Sequence, residues 1–175
     1  MRRRGWIAVA VVVIVVAGLV AYASSTATIS ALPTPGGFET SVATRAKDFF
    51  IHRAAAGALP PPVPLNAAAI AQGKALFGMD CATCHGQDGR HPAPIGRSMY
   101  PRAADLGSAQ VQRLSRRELF WVIQNGIRFT GMPGFGRINS DQEIWELADY
   151  VHTLGHASRG SRRSPGRQTR REGPR

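Results

Sequence analysis

The chain has 175 residues, of which 22 are basic and 11 are acidic, so its formal net charge is +11. Most of that charge lies at the two ends, in three arginines among the first four residues and seven arginines from residue 157 onward. Between residues 66 and 156, nine basic residues are balanced by eight acidic ones. This distribution argues against a nucleic-acid-binding domain, which would carry its positive charge on the folded part.

An uncharged apolar run from Trp6 to Ala23 follows the first three arginines. As a helix, this run would be roughly 27 Å long, close to the thickness of a hydrocarbon core. We therefore predict that residues 1–23 are a signal or anchor transmembrane helix with the N-terminus in the cytoplasm. The small residues Ala21 and Ala23 also fit a signal-peptidase site before Ser24. The length of the run favours a retained anchor, and both alternatives place the rest of the chain in the periplasm of a bacterium.

Residues 24–65 are predicted to be a periplasmic linker. A short helix is possible over 38–56, where the apolar spacing is mixed, and the His52 side chain is expected at the surface. Four prolines between Pro60 and Pro64 then indicate a stiff, extended spacer. The folded domain is expected to begin near Asn66.

Three helices are predicted beyond the spacer. Asn66 can cap a helix that runs to Phe77, and Gly73 within it indicates that another element packs closely there. The other two helices, over 115–125 and 140–154, each begin at a serine with a glutamate three residues later. This pattern is typical of a capping box. Residues 66–156 are therefore predicted to form an all-α domain with short helices and long loops.

The motif Cys81-Ala82-Thr83-Cys84-His85 contains both cysteines of the chain. Two thiols followed by a histidine are typical of covalent haem attachment, in which the thiols form thioethers and the histidine ligates iron. Two alternatives remain. A redox dithiol would need a βαβ context, and structural zinc would need two further ligands from the four other histidines, at positions 52, 91, 152 and 156.

The axial ligands of such a haem are predicted to be His85 and Met132. The Pro94 carbonyl is expected to accept a hydrogen bond from the other ring nitrogen of His85. Met132 is favoured as the second ligand because it lies between Gly131 and Pro133, in an apolar loop that joins two predicted helices. The alternatives that stay open are an empty site and the ligands Met99, His91, His152 and His156.

These motifs together resemble a class I cytochrome c, and in particular the monohaem, membrane-anchored bacterial members. Cys81 to Gly86 matches the haem motif of the family, Gly73 and Phe77 match its N-terminal helix, and Tyr150 matches the aromatic residue that meets that helix. The resemblance covers about 90 residues, from Asn66 to His156. It implies the cytochrome c fold around one covalent haem c, held by Cys81 and Cys84.

The resemblance further implies transfer of single electrons through a six-coordinate haem between redox protein partners at the bacterial inner membrane, without catalysis. Alternatives are a cytochrome subunit of a dehydrogenase or oxidase complex, or a five-coordinate gas sensor or peroxidase. The tail over 157–175 is rich in arginine, serine, glycine and proline, and from Ser158 onward it lacks apolar residues. It is therefore predicted to be disordered.

Overall fold

A computed structural model describes residues 2–26, 30–57 and 59–161 of the chain. Over these ranges the chain forms helices and loops without a β-strand, so the predicted all-α class is confirmed. Residues 162–175, which hold most of the tail predicted to be disordered, lie outside the described ranges. The helices are α1 (Arg2–Thr26), α2 (Gly37–Ala55), α3 (Ala67–Asp80), α4 (Ala82–His85), α5 (Pro94–Arg97), α6 (Ala109–Gln112), α7 (Arg116–Asn125) and α8 (Asp141–Ser161).

Helix α1 belongs to an N-terminal unit that is separate from the remainder of the chain. Its segment Gly5–Ser25 has 21 residues and a mean hydropathy of 2.7, and its side chains are exposed. At about 1.5 Å per residue, this segment is long enough to cross a hydrocarbon core. By length and composition, α1 is therefore a candidate membrane span, and an N-terminal signal sequence would have the same properties.

Helix α2 occupies the region where the sequence predicts only a possible short helix. Ile51 and Ala55 are buried against α7, and Arg117 donates hydrogen bonds to the carbonyls of Ala55 (3.1 Å) and Gly57 (2.8 Å). The His52 side chain is 84% exposed. In the structure, the packed part of the chain thus begins before the boundary expected near Asn66.

The predicted N-caps form as the sequence patterns indicate. The Asn66 side chain accepts a hydrogen bond from the Ala69 amide at 2.9 Å. At the start of α7, Ser115 and Glu118 form a reciprocal capping box. At the start of α8, the Glu143 carboxylate accepts from the Ser140 amide at 2.7 Å. These bonds satisfy amides that have no partner within the helix, and so they fix where each helix begins.

Helices α3 and α8 cross at Gly73. A Cβ atom at this position would lie 1.9 Å from the carbonyl oxygen of Glu146, so only glycine permits the observed approach of the two backbones. One turn further along, the rings of Phe77 and Tyr150 pack with their centroids 5.2 Å apart. The close packing predicted at Gly73, and the partner helix implied by the family resemblance, are both confirmed.

Helix α8 packs against α7 through a buried aromatic and ionic cluster. Phe120 stacks on Trp145 with a centroid distance of 4.2 Å. The guanidinium of Arg116 lies 5.5 Å from the centre of the Trp145 ring and pairs with Asp149, which is 1% exposed. Arg116 also donates to the Val63 carbonyl at 3.3 Å. The same arginine therefore ties the proline-rich spacer to the two helices.

Substitution of Gly73 by alanine is predicted to destabilise the domain by about 3 kcal/mol. The new methyl group would meet a backbone carbonyl that cannot rotate away, and the helices would have to separate. The matched control is Gly78→Ala in the same helix, where a Cβ has no neighbour within 4 Å. That control should stabilise the protein by about 0.5–1 kcal/mol through helix propensity. Denaturant unfolding followed by circular dichroism measures both, and a Gly73→Ala variant as stable as the wild type would contradict the prediction.

Candidate haem site

Residues Ala82–His85 of the motif form the short helix α4, and Cys81 joins it to the end of α3. The Cys81 amide donates to the Phe77 carbonyl at 3.0 Å, and so it closes α3. The Cys81 carbonyl accepts from the amides of Cys84 (3.1 Å) and His85 (2.9 Å). Residues three and four apart on a helical turn share one face. The two thiols and the imidazole are therefore presented together, at the end of a helix held in place by the α3–α8 crossing.

The imidazole of His85 is oriented by a backbone carbonyl. Its Nδ1 atom lies 2.9 Å from the carbonyl oxygen of Ala104, so the expectation that Pro94 supplies this acceptor is wrong. The Pro94 carbonyl instead accepts from the Ser98 amide at the end of α5. Because a carbonyl can only accept, Nδ1 must carry the proton, and the lone pair of Nε2 remains for a metal ion.

A close backbone contact brings the loop of Ala104 to α4. A Cβ atom at Gly96 would lie 2.1 Å from the Cys84 carbonyl oxygen. The Ala103 amide donates to the Gly96 carbonyl at 2.9 Å. This hydrogen bond turns the chain back toward α4, so that the carbonyl of Ala104, the next residue, reaches the His85 ring. The path of the backbone therefore decides which carbonyl accepts the hydrogen bond from His85.

The thiols of Cys81 and Cys84 are unpaired and partly buried. Burial, together with the smaller effect of the nearby Asp80 and Cys84 charges, raises the pKa of the Cys81 thiol to about 12. A redox dithiol requires the opposite shift, because the thiolate is the reactive form. The described part of the chain also contains no strand and no group of three His, Cys, Asp or Glu side chains that could hold zinc. Both the dithiol and the zinc interpretation of the motif therefore lack support.

Met132 lies in the loop between α7 and α8, and hydrogen bonds fix the conformation of that loop. The Met132 amide donates to the Thr130 hydroxyl at 3.1 Å, and its carbonyl accepts from the Ile127 amide at 3.2 Å. The side chain is half-buried, and Cys81 and Met132 pack against the same hydrophobic core. The Met132 thioether and the first cysteine of the motif therefore both border the hydrophobic core.

Met99 also lies against this loop, which sequence reasoning did not anticipate. A Cβ atom built on Gly131 would lie 2.5 Å from the Met99 sulfur. This contact places a second thioether beside the loop that carries Met132.

The structure describes the side chains of two of the three other histidines considered as axial ligands, His91 and His152. His91 is exposed and bonded through its ring to Asp88 at 2.6 Å. That hydrogen bond, together with bonds from two backbone amides, lowers the pKa of Asp88. His152 is half-buried on α8, and the side chain of His156 lies outside the described part of the chain.

The donor set fits a covalent haem. Two free thiols stand next to an imidazole whose orientation is already fixed. A thioether packs on the same apolar core. Imidazole nitrogen and thioether sulfur are the axial donors that haem iron accepts in cytochromes c.

Comparison with known proteins shows what the domain that carries this site is similar to. Residues 68–151 match the family model for cytochrome c oxidase, cbb3-type, subunit III. The chain is 32% identical over 103 residues to the cbb3-type cytochrome c oxidase subunit FixP of Azorhizobium caulinodans, which covers 59% of this chain and 32% of that protein. It is 31% identical over 90 residues to the corresponding subunit CcoP of Azospirillum brasilense, covering 51% of this chain and 30% of that protein. The chain thus spans about a third of the length of these relatives.

A solved structure supports the fold independently. A chain of the Kuenenia stuttgartiensis reducing HAO-like protein complex superposes with a TM-score of 0.51. The match covers 56% of this chain and 49% of that chain, at 24% sequence identity. At this identity, the likeness is evidence for the fold alone.

Proposed function

We propose that the chain is a class I cytochrome c, an interpretation supported by the family match over residues 68–151, and that it carries single electrons through one covalently bound haem c. The observation that carries the proposal is the hydrogen bond from His85 to the Ala104 carbonyl, next to the two thiols of Cys84 in α4 and Cys81 at its N-cap. When bound, the haem would supply an iron centre that gains and loses one electron. The two cysteines of the chain suffice for the two thioethers of one such group.

Each residue of the site has a distinct role in this proposal. Cys81 and Cys84 hold the haem covalently, so that it is retained by a small domain. His85 would offer Nε2 to the iron, because the Ala104 carbonyl accepts a hydrogen bond from the proton-bearing Nδ1. Met132 is proposed as the second ligand, and its soft sulfur would favour the ferrous state and raise the reduction potential.

The carrier function follows from the proposed occupation of both axial positions. With His85 and Met132 both coordinated, no position would remain on the iron for a substrate. The hydrogen bonds to Thr130 and Ile127 hold the backbone of Met132. This restraint disfavours the alternative of a five-coordinate sensor or peroxidase, in which the sulfur would have to leave readily.

Replacement of Met132 by alanine is predicted to abolish the methionine–iron charge-transfer band in the optical spectrum of the ferric protein. The ferrous variant should also bind carbon monoxide, because one axial position becomes open. The matched control is Met99→Ala, which removes the methionine that packs on Gly131 and should retain the band. If Met99→Ala loses the band while Met132→Ala keeps it, the ligand has been assigned to the wrong methionine.

A more specific role is that of a subunit of a larger redox complex. The relatives FixP and CcoP are both described as subunits of cbb3-type cytochrome c oxidases, and this observation favours an oxidase as the partner. We further propose that α1 is retained in the bacterial inner membrane. The arginines at positions 2–4 would then keep the N-terminus inside, and the haem domain would lie in the periplasm.

Purification from detergent-solubilised membranes tests this role. The expected result is a chain with α1 intact that co-elutes with subunits of an oxidoreductase, and mass spectrometry reads both properties at once. Elution as a lone polypeptide would instead support a free carrier. A mature N-terminus at Ser24 would contradict the anchored form.

A further inference from the structure

Helix α2 carries a line of exposed side chains that has no role in the haem site. Phe38, Val42, Arg45, Phe49 and Arg53, here called the α2 stripe, follow one another at intervals of four, three, four and four residues. This spacing places them on one face of a helix. Phe38 is 85% exposed, Phe49 is 61% exposed and Val42 is 52% exposed, and both arginines are exposed as well. Solvent exposure of large apolar side chains in a continuous line indicates a surface that binds a membrane, a ligand or another protein.

The α2 stripe lies on the side of the helix away from α7. Ile51 and Ala55, which are buried, lie on the opposite side of α2, where Arg117 bonds to the backbone at its C-terminal end. The haem domain therefore packs, through α7, on one face of α2, and the α2 stripe lies on the other face. Whatever the stripe binds would be held at a defined orientation to the haem domain.

The charge of the α2 stripe is purely positive. The two acidic residues of α2 lie off the stripe and have other partners: Glu39 accepts from the Tyr100 hydroxyl at 2.5 Å, and Asp48 pairs with Lys47 at 2.5 Å. Phe50, 64% exposed, packs edge-to-face on Phe49 at 5.4 Å and widens the apolar area. Aromatic rings combined with arginines are the composition of helices that lie in the headgroup region of a membrane.

The connection to α1 limits how far α2 can move from a bilayer. Ten residues, 27–36, join Thr26 to Gly37, and a chain of this length reaches at most about 35 Å. If α1 spans the membrane, the α2 stripe is held at high effective concentration near the lipid surface. Even weak affinity for lipid would then keep the helix on the membrane for much of the time.

We propose that the α2 stripe binds the anionic phospholipid headgroups of the membrane that α1 spans. The inference rests on the proposed anchoring by α1 but not on the identity of the haem ligands. Phe38, Val42 and Phe49 enter the headgroup layer, while Arg45 and Arg53 pair with lipid phosphates. Because the other side of α2 is packed on α7, the haem domain is held close to the membrane with a restricted orientation.

The test uses the full-length haem-loaded protein in lipid nanodiscs. One set contains phosphatidylcholine alone, and the other contains phosphatidylcholine with phosphatidylglycerol. Hydroxyl-radical footprinting then measures how fast Phe38 and Phe49 are oxidised. Slower oxidation in the anionic nanodiscs is expected. In Arg45→Gln/Arg53→Gln, binding by the stripe should weaken about 25-fold, since each basic residue contributes roughly five-fold near an anionic surface.

The matched control is Arg102→Gln/Arg113→Gln, which removes two exposed arginines outside α2 and should keep the protection of Phe38 and Phe49. An unchanged haem spectrum in every variant separates a failure of lipid binding from a failure of the electron-transfer proposal. Equal oxidation rates in both lipid mixtures would overturn the inference, as would a purified chain without α1. Protection that appears only in native membranes, where other proteins are present, would also overturn it and point to a protein partner.

Discussion

At the crossing of α3 and α8, the backbone of Gly73 lies against the carbonyl of Glu146, with no space for a side chain between them. The site depends on this contact because both of its halves are attached to the crossing helices. Helix α3 ends at Cys81 and leads into the attachment motif. Helix α8 begins directly after the loop that carries Met132. A shift of one helix relative to the other would change the position of the motif relative to the thioether.

The parts of the fold that depend on residue type were predictable from the sequence. The caps at Asn66, Ser115 and Ser140 could be recognised because side-chain oxygens satisfy amides at helix starts, and few residue types can do this. The close helix packing at Gly73 was predictable because a glycine inside a helix indicates that no side chain fits there. The attachment motif at Cys81–His85 was predictable because thioether formation and iron ligation require those side chains.

The parts that depend on the path of the backbone were not predictable. The acceptor for His85 is the carbonyl of Ala104, and every residue has a carbonyl, so its sequence carries no mark of this role. The approach of Met99 to Gly131 likewise results from how the loop over 98–104 returns to the domain. The sequence predicted only a possible short helix in the region of α2, and the reason is related. Two backbone carbonyls near its end are bound by Arg117, about sixty positions further along the chain.

We propose that His85 and Met132, which are attached to elements that meet at the α3–α8 crossing, would both bind the haem iron. X-ray absorption at the iron edge of the ferric full-length protein tests this claim most directly, because it identifies the elements bonded to the iron. The predicted result is one sulfur atom together with the four porphyrin nitrogens and one imidazole nitrogen. A coordination shell that contains nitrogen or oxygen but no sulfur would contradict the claim.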